Sequence, residues 1–262
     1  LMDGLECSEV SFGYIKSLNE ILRLDSYYFA KEFIEDENLL NEISNKRIAE
    51  IGATIRSFGA YSLNNEVEYQ NDGVPFIRGV NMKNGLVDFH NLLYISPSAN
   101  KLLWKSEVFP NTILLSMSGS LGDVAIAREN WQYPINSNQD IAKIEFGDNI
   151  NPYYVYTFLK SRYGQNYIRR EARGSVQQHV FLSQIEQFKI PMLSSAFQLS
   201  IEHIVREAYS KNDCSNNIYH LAEKSILKYI CLEDMYSTGN NTCIKTYKTS
   251  YCKSNRLDAE YF

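Results

Sequence analysis

From Lys46 onward the apolar residues fall in short runs punctuated by Gly, Asn, Asp and Pro: Val74 to Val80, Leu92 to Ile95, Thr112 to Met117, Val124 to Ala127 and Ile141 to Phe146. Runs of this length, rich in β-branched and aromatic residues, predict short strands in a mixed or antiparallel sheet. One stretch has helical spacing instead. Asn151 stands where an N-cap belongs, Pro152 at the first helical position, and Val155, Phe158 and Leu159 follow toward Arg170. Periodicity is lost at Gly174, which predicts a loop through His179. A capping box of Ser183 and Glu186 and a strand from Phe188 to Ile190, stopped by Pro191, come next. Beyond Pro191 there is no further proline, and Ile201, Ile204, Val205, Ala208, Ile218, Leu221, Ala222, Ile226 and Tyr229 recur at helical intervals. A continuous helix from Gln198 to Leu232 would be about 50 Å long. That exceeds the core of a small domain, so Ile201, Val205, Ala208, Leu221, Ile226 and Tyr229 are expected to form a packing seam against another helix, of the same polypeptide or of a partner.

The pattern predicts an α+β chain: a β-rich globular domain with a few helices, followed by a long helix that packs as a coiled coil. Residues 1–45 read as an acidic arm with a short amphipathic helix built on Phe29, Phe33, Leu39 and Ile43. The globular domain is expected over 46–192, the long helix over 193–236, and a linker over 237–262. Near the end a heptapeptide returns: Arg23 to Phe29 and Arg256 to Phe262 agree at five of seven positions. A unit of roughly 230 residues is therefore expected to begin again there.

Composition changes the picture little: 44% hydrophobic residues with 19 Tyr and 13 Phe belong to a chain that buries a core. No run approaches the roughly 18 to 20 apolar residues of a membrane span, and the first 30 residues carry no basic-then-apolar leader, so a cytoplasmic protein is expected. The five cysteines form no C-x-x-C pair and the four histidines are scattered, so neither a disulfide framework nor a metal site is expected. Charge is more informative once counted by region. Residues 1–45 hold ten acidic and three basic side chains, 46–192 hold 13 and 15, and 193–262 eight of each. The net charge of −5 thus belongs to the arm, while the middle region is slightly basic and bunches Lys160, Arg162, Arg169, Arg170 and Arg173.

Several of these residues carry the chemistry of duplex recognition. Arg78 and Asn81 flank glycine at the end of an apolar run, with Lys83 following. Arginine can pair with guanine O6 and N7, and asparagine with adenine N6 and N7. Gln177 and Gln178 can read adenine in the same way, while Arg169, Arg170, Arg173, Ser175 and nearby main-chain N–H groups suit phosphate. Ser116, Ser118 and Ser120 around Gly119 would let the backbone approach a phosphate, and Asn136, Asn138 and Gln139 add amide donors and acceptors. Each group has a plainer reading as well: a solvated helix face for the arginines, and turn chemistry for the Ser, Asn and Gly residues.

In order along the chain, Arg23 to Asp25 with Tyr28 and Phe29, Gly73 to Asn81 with Gly85, Ile113 to Gly119 leading to Gly122 through Ile126, Asn136 to Gln139, Arg173 to Gln177, Ile190 with Pro191, and the helix entered by Gln198 resemble one family. It is that of the specificity subunits of type I restriction-modification systems and the equivalent recognition regions of fused type IIG restriction-methylation enzymes. The chain departs from it at Phe58, Gly59 and Ala60, where the family often has a Gly-Gly-Thr type turn. The resemblance implies a non-catalytic unit that reads half of a split DNA target, and a spacer helix that docks a methyltransferase, separate or fused, and a restriction subunit. It implies pairing in a homodimer or with a tandem second repeat. S-adenosylmethionine, ATP and Mg would bind those partners, with no cofactor in this chain. No G-x-S-x-G, H-E-x-x-H, P-loop, G-x-G-x-x-G, N-P-P-Y or D-P-P-Y element occurs, which argues against an enzyme in these residues. The competing reading is a protein-interaction module that oligomerises through its long helix.

Overall fold

A computed structural model describes residues 8–18, 23–57, 67–174, 176–229 and 251. Ser175, the departure at Phe58 to Ala60, the expected helix end at Leu232, the linker over 237–262 beyond Tyr251, and the second heptapeptide from Arg256 lie outside the described residues. The chain divides into two compact units, Leu1–Val205 and Arg206–Phe262.

The first unit opens with α1 (Phe12–Leu18) and α2 (Lys31–Asn41), then β1 (Asn45–Arg47) and β2 (Thr54–Arg56). Strands β3 (Tyr69–Gln70), β4 (Val74–Ile77), β5 (Met82–Lys83), β6 (Leu86–Val87) and β7 (Leu93–Ile95) lead to α3 (Pro97–Leu102). Strands β8 (Glu107–Val108), β9 (Ile113–Ser116), β10 (Val124–Ile126), β11 (Ile135–Ser137) and β12 (Ile141–Glu145) complete the sheets. Helices α4 (Pro152–Lys160), α5 (Arg162–Glu171) and α6 (Leu182–Ile185) follow, with β13 (Lys189–Pro191) and the long α7 (Ser195–Tyr229).

Two sheets form the core. One has the order β10-β9-β12-β2 and is antiparallel throughout; the other runs β3-β7-β4-β11-β8, with β4 and β11 parallel. Ile77, Val108, Leu114, Ala125, Ile135 and Ile141 are buried in one apolar cluster drawn from both sheets. On β4 the period-two rule sends Val74 and Phe76 into a second cluster, with Ile95 and with Ala99 and Leu103 of the α3 region. Ser96 caps α3 by accepting from the Ala99 N–H at 3.1 Å.

The expected helix from Asn151 is two helices. Asn151 Oδ1 does cap α4, accepting from the Tyr153 N–H at 2.9 Å, but the chain breaks at Ser161, which is extended at φ −67°, ψ 166°. A Cβ on Gly164 would stand 2.4 Å from the Leu159 Cα, so the two helices approach at a point only glycine fits. The capping box at Ser183 is also corrected. Gln184 Oε1 accepts the Phe181 N–H at 2.8 Å, and Ser183 lies inside α6. In the arm, α2 buries Phe33 and Leu40 together with Asp36 and Glu37, while Leu39 and Ile43, expected on its apolar face, are exposed. The long helix begins at Ser195, where Leu221, Ile226, Tyr229 and Ala208 are exposed and Ile201 and Val205 half-buried.

Candidate nucleic-acid interface

Sheet topology brings four loops to one end of the first unit. Because β4 and β11 are parallel, with Ser137 beside Ile77, their exits lie side by side, and the Asn138 N–H donates to the Ile77 carbonyl at 2.9 Å. Strand β12 runs antiparallel to β9 with Ile141 opposite Ser116, so its entry meets the exit of β9. There the Met117 N–H donates to the Asp140 carbonyl at 2.7 Å. The fourth loop leaves α5 and closes on itself through Arg173 and His179, which exchange backbone hydrogen bonds at 2.9 and 2.7 Å. It is tied to the others where the Val180 N–H reaches the Met117 carbonyl at 3.0 Å and Ser118 bridges His179. Gly79 lets the first loop sit against the second, since a Cβ there would lie 3.1 Å from Ser116 Oγ.

Arg78, Ser118, Ser120, Asn138, Gln139, Arg173, Gln177 and Gln178 all belong to this loop cluster. Arg78 and Arg173 have no carboxylate partner among the described residues, and the Nε of each is buried without a hydrogen bond. A donor buried without a partner costs free energy, and neither guanidinium charge is compensated by a carboxylate among the described residues. Asn138 donates to Asp140 at 3.3 Å, and its Oδ1 is likewise buried and unpartnered. Gln177 Nε2 donates to Ser118 Oγ at 2.7 Å, which anchors the fourth loop, and Gln178 is exposed. Gly119, at φ +70°, faces open space and gives a ligand access to main chain. Lys83 stands exposed on the β5–β6 hairpin. Burial raises the pKa of the Asp123 carboxyl against the opposing pull of Lys160 and Lys83.

Two sequence assignments are overturned. Asn81 is 3% exposed; its Oδ1 accepts the Arg78 N–H at 3.0 Å and its Nδ2 donates to the Asn91 carbonyl at 3.1 Å, so it shapes the turn that presents Arg78 and has no edge left for a base. Arg170 is 4% exposed, with Nη1 2.7 Å from Glu37 Oε2 and Nε donating to the Tyr28 carbonyl at 2.9 Å. Burial works against the Glu37 carboxylate, yet hydrogen bonding from Arg170 and Tyr14 and the charges of Arg170 and Lys189 hold its pKa below the usual range. Arg162 pairs with Asp36, and Arg169, half exposed, reaches Glu32 at 3.6 Å and bonds Asn166. Three acids of the arm, Glu32, Asp36 and Glu37, are thus paired with the arginines of α5, whereas the loop arginines Arg78 and Arg173 have no carboxylate partner among the described residues.

The heptapeptide belongs to the same contact. Arg23 grips Asp25 at 2.8 and 3.0 Å, lies 4.5 Å from the Tyr28 ring and donates to the Arg170 carbonyl at 3.1 Å, while the Tyr28 hydroxyl donates to Glu171 at 2.9 Å. Lys160, counted in the sequence among the bunched cations, holds the Asn84 carbonyl through its Nζ at 3.0 Å, and sequence reasoning missed Val176, fully exposed in the fourth loop. An apolar residue between Gly174 and two glutamines was the available signal for Val176. Among the described residues no cluster of three or more His, Cys, Asp or Glu side chains is arranged to hold a metal ion, and no helix is long and apolar enough to cross a membrane.

Residues 40–224 match the family described as type I restriction modification DNA specificity domain. The chain belongs to that family. The alternative of a protein-interaction module finds no support in the match. Over 143 residues this family member is 24% identical to the specificity subunit of the type I restriction enzyme EcoBI of Escherichia coli, which takes in 54% of the chain and 30% of the relative. The chain thus spans about a third of the curated relative it matches. Among solved structures it is similar to the S subunit of a type I system from M. genitalium, at 18% identity and a TM-score of 0.44, over 75% of this chain and 51% of that one. It is also similar to the type IIG restriction endonuclease BpuSI, at 9% identity and a TM-score of 0.48, over 73% and 30%.

Proposed function

We propose that this specificity domain reads one half of a split target in duplex DNA and performs no catalysis itself. The observation that supports this most is the convergence of four loops carrying unpaired Arg78 and Arg173 beside amide side chains. Guanidinium groups deliver both phosphate attraction and bidentate guanine contacts, and amides discriminate adenine, each good base contact contributing about 1–3 kcal/mol of discrimination. In this reading Gly119 and the Ser118 to Ser120 backbone lie along the phosphates, while Arg78, Arg173, Gln177 and Gln178 face base edges. The exposed apolar positions of α7 pair with a second helix, from a tandem unit or a second copy, and the paired helices dock a methyltransferase, separate or fused, and in a type I system a restriction subunit. Those partners bring S-adenosylmethionine, ATP and Mg, and the assembly works in the cytoplasm, where its DNA lies.

The test is selection from a randomised duplex pool by the intact protein, alone and with its methyltransferase, followed by sequencing of the retained DNA. A short enriched motif is expected, bound more tightly when the methyltransferase adds its own surface. No enrichment in either setting, at low and moderate salt, would overturn the proposal.

A further inference from the structure

Beside the four loops is a surface that the recognition reading does not use. The stretch from the end of α3 to the residue after β8 exposes Leu102 (51%), Trp104 (60%) and Phe109 (44%), three large apolar side chains within eight residues, with Lys101 and Lys105 exposed beside them. Leu103 between them is 5% exposed and anchors the stretch in the core. Lys105 Nζ lies 5.4 Å from the Trp104 ring, and the Arg56 guanidinium 5.2 Å from that of Phe109. Arg56 donates to the Lys105 carbonyl at 3.0 Å and to the Glu107 carbonyl at 3.2 Å, which fixes the two halves of the patch together. Neither Lys101 nor Lys105 has a carboxylate partner among the described residues. Glu145 is taken by Arg56, and Glu107 is half-buried.

Register connects this patch to the loops. Strand β8 is antiparallel to β11 with Glu107 opposite Asn136, so the residues before β8 lie beyond the end from which Asn138 leaves. Ser137 Oγ donates to the Ser106 carbonyl at 3.2 Å, one residue from Asn138 on one side and two from Trp104 on the other. Rigid aromatic rings interleaved with unpaired cations, continuous with a base-reading edge, fit the sugar-phosphate backbone of the same duplex. The cations neutralise phosphates, and the indole packs on sugar while its N–H can donate to a phosphate oxygen. We propose that Lys101, Trp104 and Lys105 form a sequence-independent clamp on the DNA backbone flanking the recognised bases. This rests on the DNA-recognition reading and adds to it the residues that hold, without reading, the flanking duplex.

The experiment uses the intact protein with its methyltransferase, as wild type, Lys101→Gln/Lys105→Gln and Trp104→Phe. Affinity is measured over a range of salt for duplexes that end at the selected motif and for duplexes extended on both sides. The double lysine variant is expected to select the same motif, to lose the advantage of the extended duplex, and to show a log–log salt slope shallower by about 2. The difference in fluorescence between wild type and Trp104→Phe should be quenched by extended duplex and unaffected by the short one. Unchanged slope and length dependence in a variant that still selects the motif would overturn the clamp and leave recognition standing. Failure of the wild type itself to select a motif would remove the reading beneath it. Loss of the methyltransferase from Trp104→Phe or the lysine variant, with DNA affinity intact, would also overturn the clamp and assign the patch to a protein partner.

Discussion

Arg170 is the residue at which a phosphate-binding role and a structural role predict opposite results. Arg170→Ala removes a guanidinium that is 4% exposed and leaves the Glu37 carboxylate, 5% exposed, without its principal partner. Breaking a buried ion pair from one side costs about 3–5 kcal/mol. Glu37 retains the Tyr14 hydroxyl at 2.8 Å and Lys189 Nζ at 3.4 Å, which offset roughly 1 kcal/mol, so the net cost is about 3 kcal/mol. The variant also loses the bond to the Tyr28 carbonyl and the contact of Arg170 with the Tyr28 ring at 4.4 Å. In urea unfolding, with a slope of about 2–3 kcal/mol per molar, the midpoint should fall by about 1 M. The salt slope of DNA binding, measured where the variant is still folded, should be unchanged. Replacing both partners, in Arg170→Met/Glu37→Leu, should recover most of the loss, because the buried carboxylate goes with its guanidinium and Lys189, one quarter exposed, keeps Asn41 Oδ1 at 2.7 Å. An unchanged midpoint together with a flattened salt slope would refute the argument and return Arg170 to the phosphate contacts.

Arg78→Ala should relax preference at one base position and cost about 1–3 kcal/mol of specific binding in a selection repeated with the variant, with thermal stability little altered. Lys143 is wholly buried with Nζ 3.0 Å from Ser137 Oγ; burial, aided by repulsion from Arg56 and opposed by Glu145, brings its pKa down to about 7 from 10.5. The unfolded lysine therefore holds a proton that the folded one releases between those values, so stability should rise with pH, by about 2 kcal/mol from pH 7 to 9. Lys143→Met should abolish that rise in denaturant titrations at the two pH values; a rise of equal size in the variant would exclude Lys143 as its source. Gly174 has φ +116°, and a Cβ there would lie 2.1 Å from the Gln177 carbonyl oxygen. Gly174→Ala should open the fourth loop and weaken DNA binding by tenfold or more, on the order of the 1–3 kcal/mol that such strain costs, while the far-ultraviolet dichroism is retained.

The strands legible in the sequence are those whose apolar runs are buried on both faces. Ile113 to Leu115 and Val124 to Ile126 are buried at every position, and both runs stand out as uninterrupted β-branched and aliphatic stretches. Strand β11 escaped notice because two of its three buried residues, Asn136 and Ser137, are polar. Asn136 is satisfied by the Asn100 side chain at 2.8 Å and the Leu103 carbonyl at 3.2 Å, partners more than thirty residues away that no local pattern reveals. The same limit explains the site. Glycine and short polar residues marked Arg78, Ser118, Asn138 and Gln177 as loop positions. That Arg170 turns inward depends on Glu37, 133 residues upstream. Counting charge by region located the acidic arm and the basic helix separately, and only the fold shows that Glu32, Asp36 and Glu37 of the one pair with Arg169, Arg162 and Arg170 of the other.

Beside the side-chain ties of Gln177 and Asn81, the four loops are joined to one another and to the sheets by main-chain groups: Asn138 to Ile77, Met117 to Asp140, Val180 to Met117, and Arg173 to His179. Backbone bonds are indifferent to the side chains they carry, so Arg78, Arg173 or Gln178 can be exchanged without breaking these ties. If these loops read DNA as proposed, descendants of one such chain can drift from one DNA word to another by single replacements. The cost in folding along the way is small, because the vocabulary is written on side chains and the page is bound by amides.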